Sequence, residues 1–142
     1  MPSLHPYLNF KGNTEEAFNF YKSVFGGEFA AVMRFSEAPG TETLPEHLKS
    51  KIMHIALPIG NSMLMATDAL EEMGQTLTQG SNMYISVNAD SMEDGKRLFG
   101  ALSAGGKVEM PFEKQFWGSH FGSLIDKFGI PWMMSFDEKF AG

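Results

Sequence analysis

The chain has 142 residues, of which 43% are hydrophobic and 20% charged, a composition typical of a single globular domain. Its net charge of −6 argues against a nucleic-acid partner, because phosphate recognition needs clustered Lys and Arg. The lack of cysteine excludes disulfides, a thiol nucleophile and Cys-based zinc sites. No apolar stretch approaches the ~20 residues of a membrane span, so we expect a cytoplasmic protein with no membrane partner.

The chain begins with a predicted strand, helix and second strand. Residues 4–10 alternate in polarity and predict the first strand. Asn13 as N-cap, with Glu16 three positions on, predicts a capping box and a helix that ends at a double glycine. We expect this helix to bury Ala17, Phe20, Tyr21, Val24 and Phe25. Residues 28–36 predict the second strand.

A hairpin and a long link complete the first half. Residues 37–50 form a polar loop that carries one short helical turn. The pair Gly60-Asn61 is typical of a tight turn between two strands. Those strands cover residues 51–59 and 62–67. Residues 68–81 are the link, in which Asp68 is either a turn residue or a ligand contact.

The same order of elements then begins again. Four strands are predicted at residues 82–88, 107–113, 120–126 and 131–137. A helix between the first two is capped by Asp90 or Ser91, and we expect it to bury Leu98, Phe99 and Leu102. Asp126 is predicted to form a turn before the last strand.

The matching helix starts indicate an internal duplication. Asn13-Thr-Glu-Glu corresponds to Ser91-Met-Glu-Asp, and the apolar positions that follow also correspond. We therefore expect an α+β fold, one domain over 1–142, built from two βαβββ modules with a concave surface between them. The modules cover about 3–68 and 82–138, with a linker at about 69–81. Chance likeness of two strand–helix pairs is the alternative.

Two stretches, GNTEEAFNFYKSVFGG at 12–27 and QFWGSHFGSLIDKFGIPW at 115–132, resemble the vicinal oxygen chelate superfamily. That group includes glyoxalase I, bleomycin-resistance proteins and extradiol dioxygenases, and the chain is similar in particular to its PhnB-like branch over residues 4–137. The resemblance implies paired βαβββ modules in one curved mixed sheet around a central cup. It also implies a homodimer, with modules exchanged between chains in some members.

Members of this branch often carry the description of a demethylubiquinone methyltransferase. A methyltransferase of the Rossmann type needs a glycine-rich loop after its first strand. No G-x-G motif occurs in this sequence, so we do not expect methyl transfer.

The resemblance also implies a divalent metal held by His, Gln or Glu from the first and last strand of each module. The corresponding positions here are His5, Met65, Asn82 and Met133, of which His5 alone is well suited. Thioether sulfur is a poor ligand for Mg²⁺, Mn²⁺ or Zn²⁺. We therefore expect no cofactor, with a divalent metal at His5 as the alternative. His54, among apolar neighbours, is interpreted as a structural histidine.

Aromatic and methionine side chains are expected to line the cup. The predicted ligand contacts are His5, Tyr7, Met65, Asn82, Tyr84, Trp117 and Trp132. The 11 methionines either fill the core or line an adaptable apolar pocket. The leading hypothesis is a protein that binds a small apolar or aromatic molecule, with His5 as the polar contact. The alternatives are a metal-dependent isomerase, lyase or dioxygenase and a non-catalytic dimeric interaction module.

Overall fold

The computed structural model of the protein describes residues 2–137. The chain divides into two compact units, the first ending at Gln79 and the second beginning at Gly80. Each unit holds a four-stranded mixed sheet. The predicted α+β class and the βαβββ order of each half are confirmed. Within residues 2–137, no helix combines the length and apolarity that crossing a bilayer requires.

The first unit follows the predicted order with shorter outer strands. Its elements are β1 (Tyr7–Phe10), α1 (Thr14–Phe25), β2 (Ala31–Arg34), α2 (Glu46–Lys49), β3 (Ile52–Ile59) and β4 (Ser62–Asp68). Short 3₁₀ turns occupy Phe35–Glu37 and Glu71–Met73. The strand order is β1-β4-β3-β2, with β1 parallel to β4 and the other pairs antiparallel. The short helical turn predicted in the polar loop is α2.

Helix α1 covers one side of this sheet. Its buried residues are Thr14, Ala17, Phe18, Tyr21 and Val24, a spacing of three and four that forms one stripe. They pack with strand residues Ile55, Leu57, Leu64 and Ala66, which are all buried. The stripe includes Phe18, which the sequence analysis missed, while Phe20 and Phe25 remain half-buried at its borders.

Asp68, at the end of β4, is the polar centre of the first unit. It is 2% exposed, and its Oδ1 accepts hydrogen bonds from Thr14 N at 3.0 Å and Thr14 Oγ1 at 2.6 Å. Its Oδ2 accepts one from Ile52 N at 2.8 Å. Asn13 is the N-cap by position but makes no side-chain capping bond. The predicted capping box is therefore absent, and a residue distant in sequence satisfies the first helical N–H instead.

The second unit has the same topology. Its elements are β5 (Ile85–Asn88), α3 (Met92–Ser103), β6 (Lys107–Lys114), β7 (His120–Ile125) and β8 (Pro131–Phe136). The strand order is β5-β8-β7-β6, with β5 parallel to β8. Ser91 caps α3, because its Oγ accepts a hydrogen bond from Asp94 N at 3.0 Å. Both α1 and α3 are 12 residues long, as the duplication predicts.

Trp132 belongs to the core of the second unit. It is 1% exposed and lies opposite Leu124, on the side of the sheet that contacts α3. Its Nε1 donates a hydrogen bond to Asp126 Oδ2 at 2.8 Å, while Asp126 Oδ1 accepts bonds from Phe128 N and Ile130 N in the turn. The position of Trp132 therefore corrects its assignment to the ligand pocket. Asp126 forms the predicted turn and also anchors this ring.

Replacing Asp68 with Ala should lower the free energy of unfolding by about 3 kcal/mol, since two buried N–H groups and one hydroxyl lose a charged acceptor. Urea denaturation followed by circular dichroism measures the change. Glu72→Ala is the control, because its exposed carboxylate contacts His47 at the surface, so about 0.5 kcal/mol or less is expected. A loss under about 1 kcal/mol for Asp68→Ala would show that the structure does not depend on this carboxylate.

Trp132→Phe should lower the free energy of unfolding by about 2 kcal/mol, because ring volume and a buried hydrogen bond are lost together. Trp117→Phe, at a side chain 52% exposed, should change it by about 0.5 kcal/mol or less. Acrylamide should quench the remaining tryptophan weakly in Trp117→Phe and strongly in Trp132→Phe. Equal destabilisation by the two substitutions would contradict the assignment of Trp132 to the core.

Candidate functional site

Each sheet has one side that its own helix does not cover, called here the open face of that unit. In the first unit, Tyr7 lies opposite Met65, Asn9 opposite Thr67, and Met33 opposite His54. Side chains of directly opposed residues project to the same side of a sheet, and side chains two residues apart do likewise. The open face of the first unit therefore carries Tyr7, Asn9, Met33, His54, Ala56, Met63, Met65 and Thr67.

A tyrosine–histidine pair spans this open face. Tyr7 Oη lies 3.2 Å from His54 Nδ1, and the two rings stack with centroids 5.9 Å apart and planes inclined by 26°. The residues stand on β1 and β3, so the pair crosses above β4. Partial burial raises the pKa of the Tyr7 phenol, which is protonated at neutral pH and can donate a hydrogen bond to Nδ1. In that arrangement the neutral His54 ring carries its proton on Nε2 and offers an N–H donor.

A bulge in β3 brings a further methionine towards this region. Met33 pairs with His54, but Arg34 pairs with Ile52, so Met53 is an extra residue in β3. A cavity of about 390 Å³ adjoins the bulge. It is lined by Asn9, Phe35, Met53, Thr67, Ala69, Gln75, Thr76 and Leu77. Gln75 Oε1 accepts a hydrogen bond from Leu70 N at 2.7 Å, which holds this segment beside the sheet.

His5 has a structural contact that the sequence analysis did not foresee. Its Nδ1 accepts a hydrogen bond from Met63 N at 2.9 Å, and its Nε2 lies 3.0 Å from Ser3 Oγ. Because Nδ1 is an acceptor, the neutral ring carries its proton on Nε2. A metal would have to displace one of these two contacts. The hydrogen bond from Met63 to the exposed His5 ring also extends the pairing of the N-terminal segment with β4.

The residues at the implied metal positions do not suit a divalent ion. Met65 and Met133 offer thioether sulfur, Asn82 offers a neutral amide, and His5 is engaged with Met63. Among residues 2–137, no three His, Cys, Asp or Glu side chains form a group that could hold a metal. The donor chemistry therefore gives no basis for a metal-dependent step.

The open face of the second unit follows from the same register rule. Ser86 and Ser123 lie opposite Met133, and Asn88 and Phe121 lie opposite Ser135. The face carries Ser86, Asn88, Met110, Glu113, Phe121, Ser123, Met133 and Ser135. Met133 occupies the position in the second unit that Met65 has in the first. Asn82, at an exposed bend before β5, lies outside the strand in which it was predicted.

A second polar pair crosses this other face. Tyr84 precedes β5 and Glu109 lies on β6, at opposite edges of the sheet, and Tyr84 Oη donates a hydrogen bond to Glu109 Oε1 at 2.8 Å. The bond raises the pKa of the Tyr84 phenol, because the carboxylate stabilises its protonated form. Glu109 is an extra residue of β6, since Val108 pairs with Leu124 and Met110 with Ser123.

The predicted contacts belong to different elements of the two units. Tyr7 and Met65 lie together on the first open face. Tyr84 lies on the second, and Trp117 follows β6, with its ring 6.1 Å from that of Phe121. His5, Asn82 and Trp132 lie elsewhere, as described above. The sequence predicted only a structural role for His54 and gave no indication of Glu109, because the β-bulges beside them left no signal in the sequence pattern.

Comparisons with known proteins agree with this fold. The sequence profile described as 3-demethylubiquinone-9 3-methyltransferase matches residues 2–135. Protein YjdN of Escherichia coli (strain K12) is 34% identical over 140 residues, 93% of each chain. The crystal structure of protein PA1353 from Pseudomonas aeruginosa is 37% identical, with a TM-score of 0.85 over 96% of this chain and 98% of that one.

Two further solved structures extend the likeness. A putative 3-demethylubiquinone-9 3-methyltransferase, PhnB protein, from Bacillus cereus is 26% identical, with a TM-score of 0.74 over 95% of this chain and 99% of that one. The fosfomycin resistance protein FosX from Listeria monocytogenes, complexed with Mn(II) and sulfate, is 11% identical, with a TM-score of 0.62 over 94% and 90%. That likeness is one of fold alone. The chain belongs to the PhnB-like family described as 3-demethylubiquinone-9 3-methyltransferase.

Proposed function

We propose that this protein binds a small apolar or aromatic molecule, and that the open face of the first unit forms its binding surface. The observation that carries the proposal is the Tyr7–His54 pair. Two polar side chains are bonded to each other on a sheet face that their own helix leaves uncovered. Tyr7 is 47% exposed, so a ligand can reach the pair.

The surroundings of the pair define the chemistry of the ligand. The thioethers of Met33, Met53 and Met65 offer a polarizable apolar surface that adapts to different shapes. A few fixed polar groups in such a surface set the orientation of a ligand. His54 Nε2–H would bond an acceptor, so an aromatic carbonyl compound suits this face better than an aliphatic hydrocarbon does.

Methyl transfer is not part of the proposal. The family description names that reaction, but a Rossmann methyltransferase uses a parallel, doubly wound sheet with a glycine-rich phosphate loop. Both sheets here are mixed, have four strands and carry a single long helix. Because function resides in sites rather than in folds, the binding surface is the better guide. The proposal retains a cytoplasmic homodimer. The adjoining exposed rings of Phe116 and Trp117 support the dimer, since contiguous apolar patches often mark association surfaces.

Methionine methyl groups provide a direct test of binding. With ¹³C-methyl methionine labelling, acetophenone and related aromatic ketones should shift the methyl resonances of Met33 and Met65 in NMR spectra. Met134, which is 1% exposed in the other unit, is the internal control and should not shift. His54→Ala should weaken binding about tenfold, because the ligand acceptor loses its donor.

Two outcomes would end this proposal. One is that no aromatic compound in a broad screen shifts Met65 or raises the melting temperature. A ligand at 100 times its Kd should add about 2.7 kcal/mol of stability, which a thermal scan detects. The other is that ligands bind His54→Ala and the native protein equally well.

Metal analysis should show substoichiometric Zn, Mn, Fe and Ni in protein from metal-supplemented cultures, and His5→Ala should leave that content unchanged. The substitution should instead lower the free energy of unfolding by about 1 kcal/mol, since Met63 N loses its acceptor. Ser3→Ala, which leaves that bond intact, is the control. A stoichiometric metal that His5→Ala removes would favour a metal-dependent enzyme of the superfamily over a metal-free binding protein.

A further inference from the structure

The open face of the second unit carries carboxylates and aromatic rings. Glu109 is the extra residue of β6 beside Ser123 of β7, and Phe121, two residues from Ser123, lies opposite Glu113. The Trp117 ring packs edge-on against Phe121 with centroids 6.1 Å apart. Met133 lies opposite Ser123 on the adjacent strand. Acidic, aromatic and thioether side chains therefore share this face.

This face carries two carboxylates and one lysine, since Lys107 lies opposite Ile125, two residues from Ser123. Glu109 and Glu113 both stand on the edge strand β6. Neither forms an ion pair with a Lys, Arg or His of residues 2–137, although Lys107 and Lys114 are on the same strand. The only side-chain hydrogen bond to Glu109 within this part of the chain comes from the neutral phenol of Tyr84. One phenol O–H occupies only part of this carboxylate, so most of its acceptor capacity remains open.

We propose that this face binds an aryl-alkyl ammonium compound, with the ammonium group on Glu109 and the aryl ring against Phe121 and Trp117. An ammonium group has three N–H donors, so it can bond Glu109 while Tyr84 remains bonded to the same carboxylate. The Tyr84 ring adds an aromatic surface that attracts a cation.

This site lies on a different unit from the proposed ketone surface and does not depend on it. The two open faces differ in polarity, because the first offers an N–H donor at His54 and the second offers a carboxylate acceptor. Carboxylic acids such as phenylacetate should be repelled by Glu109 and Glu113. Neutral 2-phenylethanol has the shape of phenethylammonium but lacks its charge.

The test compares phenethylammonium, 2-phenylethanol and phenylacetate by calorimetry and by the methyl resonances of Met110 and Met133. Phenethylammonium should bind best and shift both methyl groups, and its affinity should fall as salt is added. Glu109→Gln should weaken its binding about tenfold and leave 2-phenylethanol unaffected. Glu93→Gln is the control, since it removes an exposed carboxylate from helix α3 on the other side of the sheet.

Tyr84→Phe keeps the ring and removes the bond to Glu109, so phenethylammonium should bind at least as tightly as in the native protein. Equal melting temperatures would establish that Glu109→Gln and Tyr84→Phe are folded. The proposal is overturned if phenethylammonium does not bind, if 2-phenylethanol binds equally well, or if Glu109→Gln binds it unchanged. If phenethylammonium shifted only the methyl resonances of Met33 and Met65, the proposal for the second unit would be wrong. The proposed ketone-binding surface of the first unit would still stand.

Discussion

The first unit depends on one buried carboxylate. Asp68 joins the end of β4 to the first turn of α1 and to the start of β3, with three hydrogen bonds in the interior. Because side chains alternate along a strand, an inward Asp68 requires Thr67 and Met65 to face the other way. The contact that closes the core therefore also sets which residues of β4 form the open face. Desolvation of the carboxylate is offset because both oxygens are hydrogen-bonded.

The two units share a topology but not this contact. Phe136 ends β8 where Asp68 ends β4, and it is buried as an apolar side chain. The second unit instead buries Asp126 in the turn before β8, bonded to Trp132. A duplicated βαβββ order can thus be stabilised by different polar contacts, provided that each buried acceptor finds its donors. Because the two units need not share their polar contacts, their open faces can also differ, with a donor at His54 and an acceptor at Glu109.

Sequence periodicity predicted the helices and strands, but it did not show for every strand which residues face the core. The helices and hairpins follow from spacing and glycines, whereas β1, β2 and β5 each begin three residues later than predicted. In PWMMSF, apolar residues occupy both sides of the strand, so the pattern could not show that Trp132 faces the core. His54 and Glu109 reach the open faces beside bulges, which interrupt the alternation on which such reasoning depends. Gly95 fits within a helix because any Cβ there would lie 2.7 Å from the Phe112 ring, a tertiary contact invisible in the sequence.

The distribution of methionine connects the fold with the proposed function. Met134 is buried in the core, but Met33, Met63, Met65, Met110 and Met133 lie on the open faces. Leucine, isoleucine and aromatic residues, which have fewer accessible rotamers, form most of the core. Thioethers are suited to surfaces that must fit more than one shape, whereas a core needs a single arrangement. An adaptable apolar surface gives little selectivity by itself, so selection depends on the polar pairs, with His54 favouring acceptors and Glu109 favouring cations.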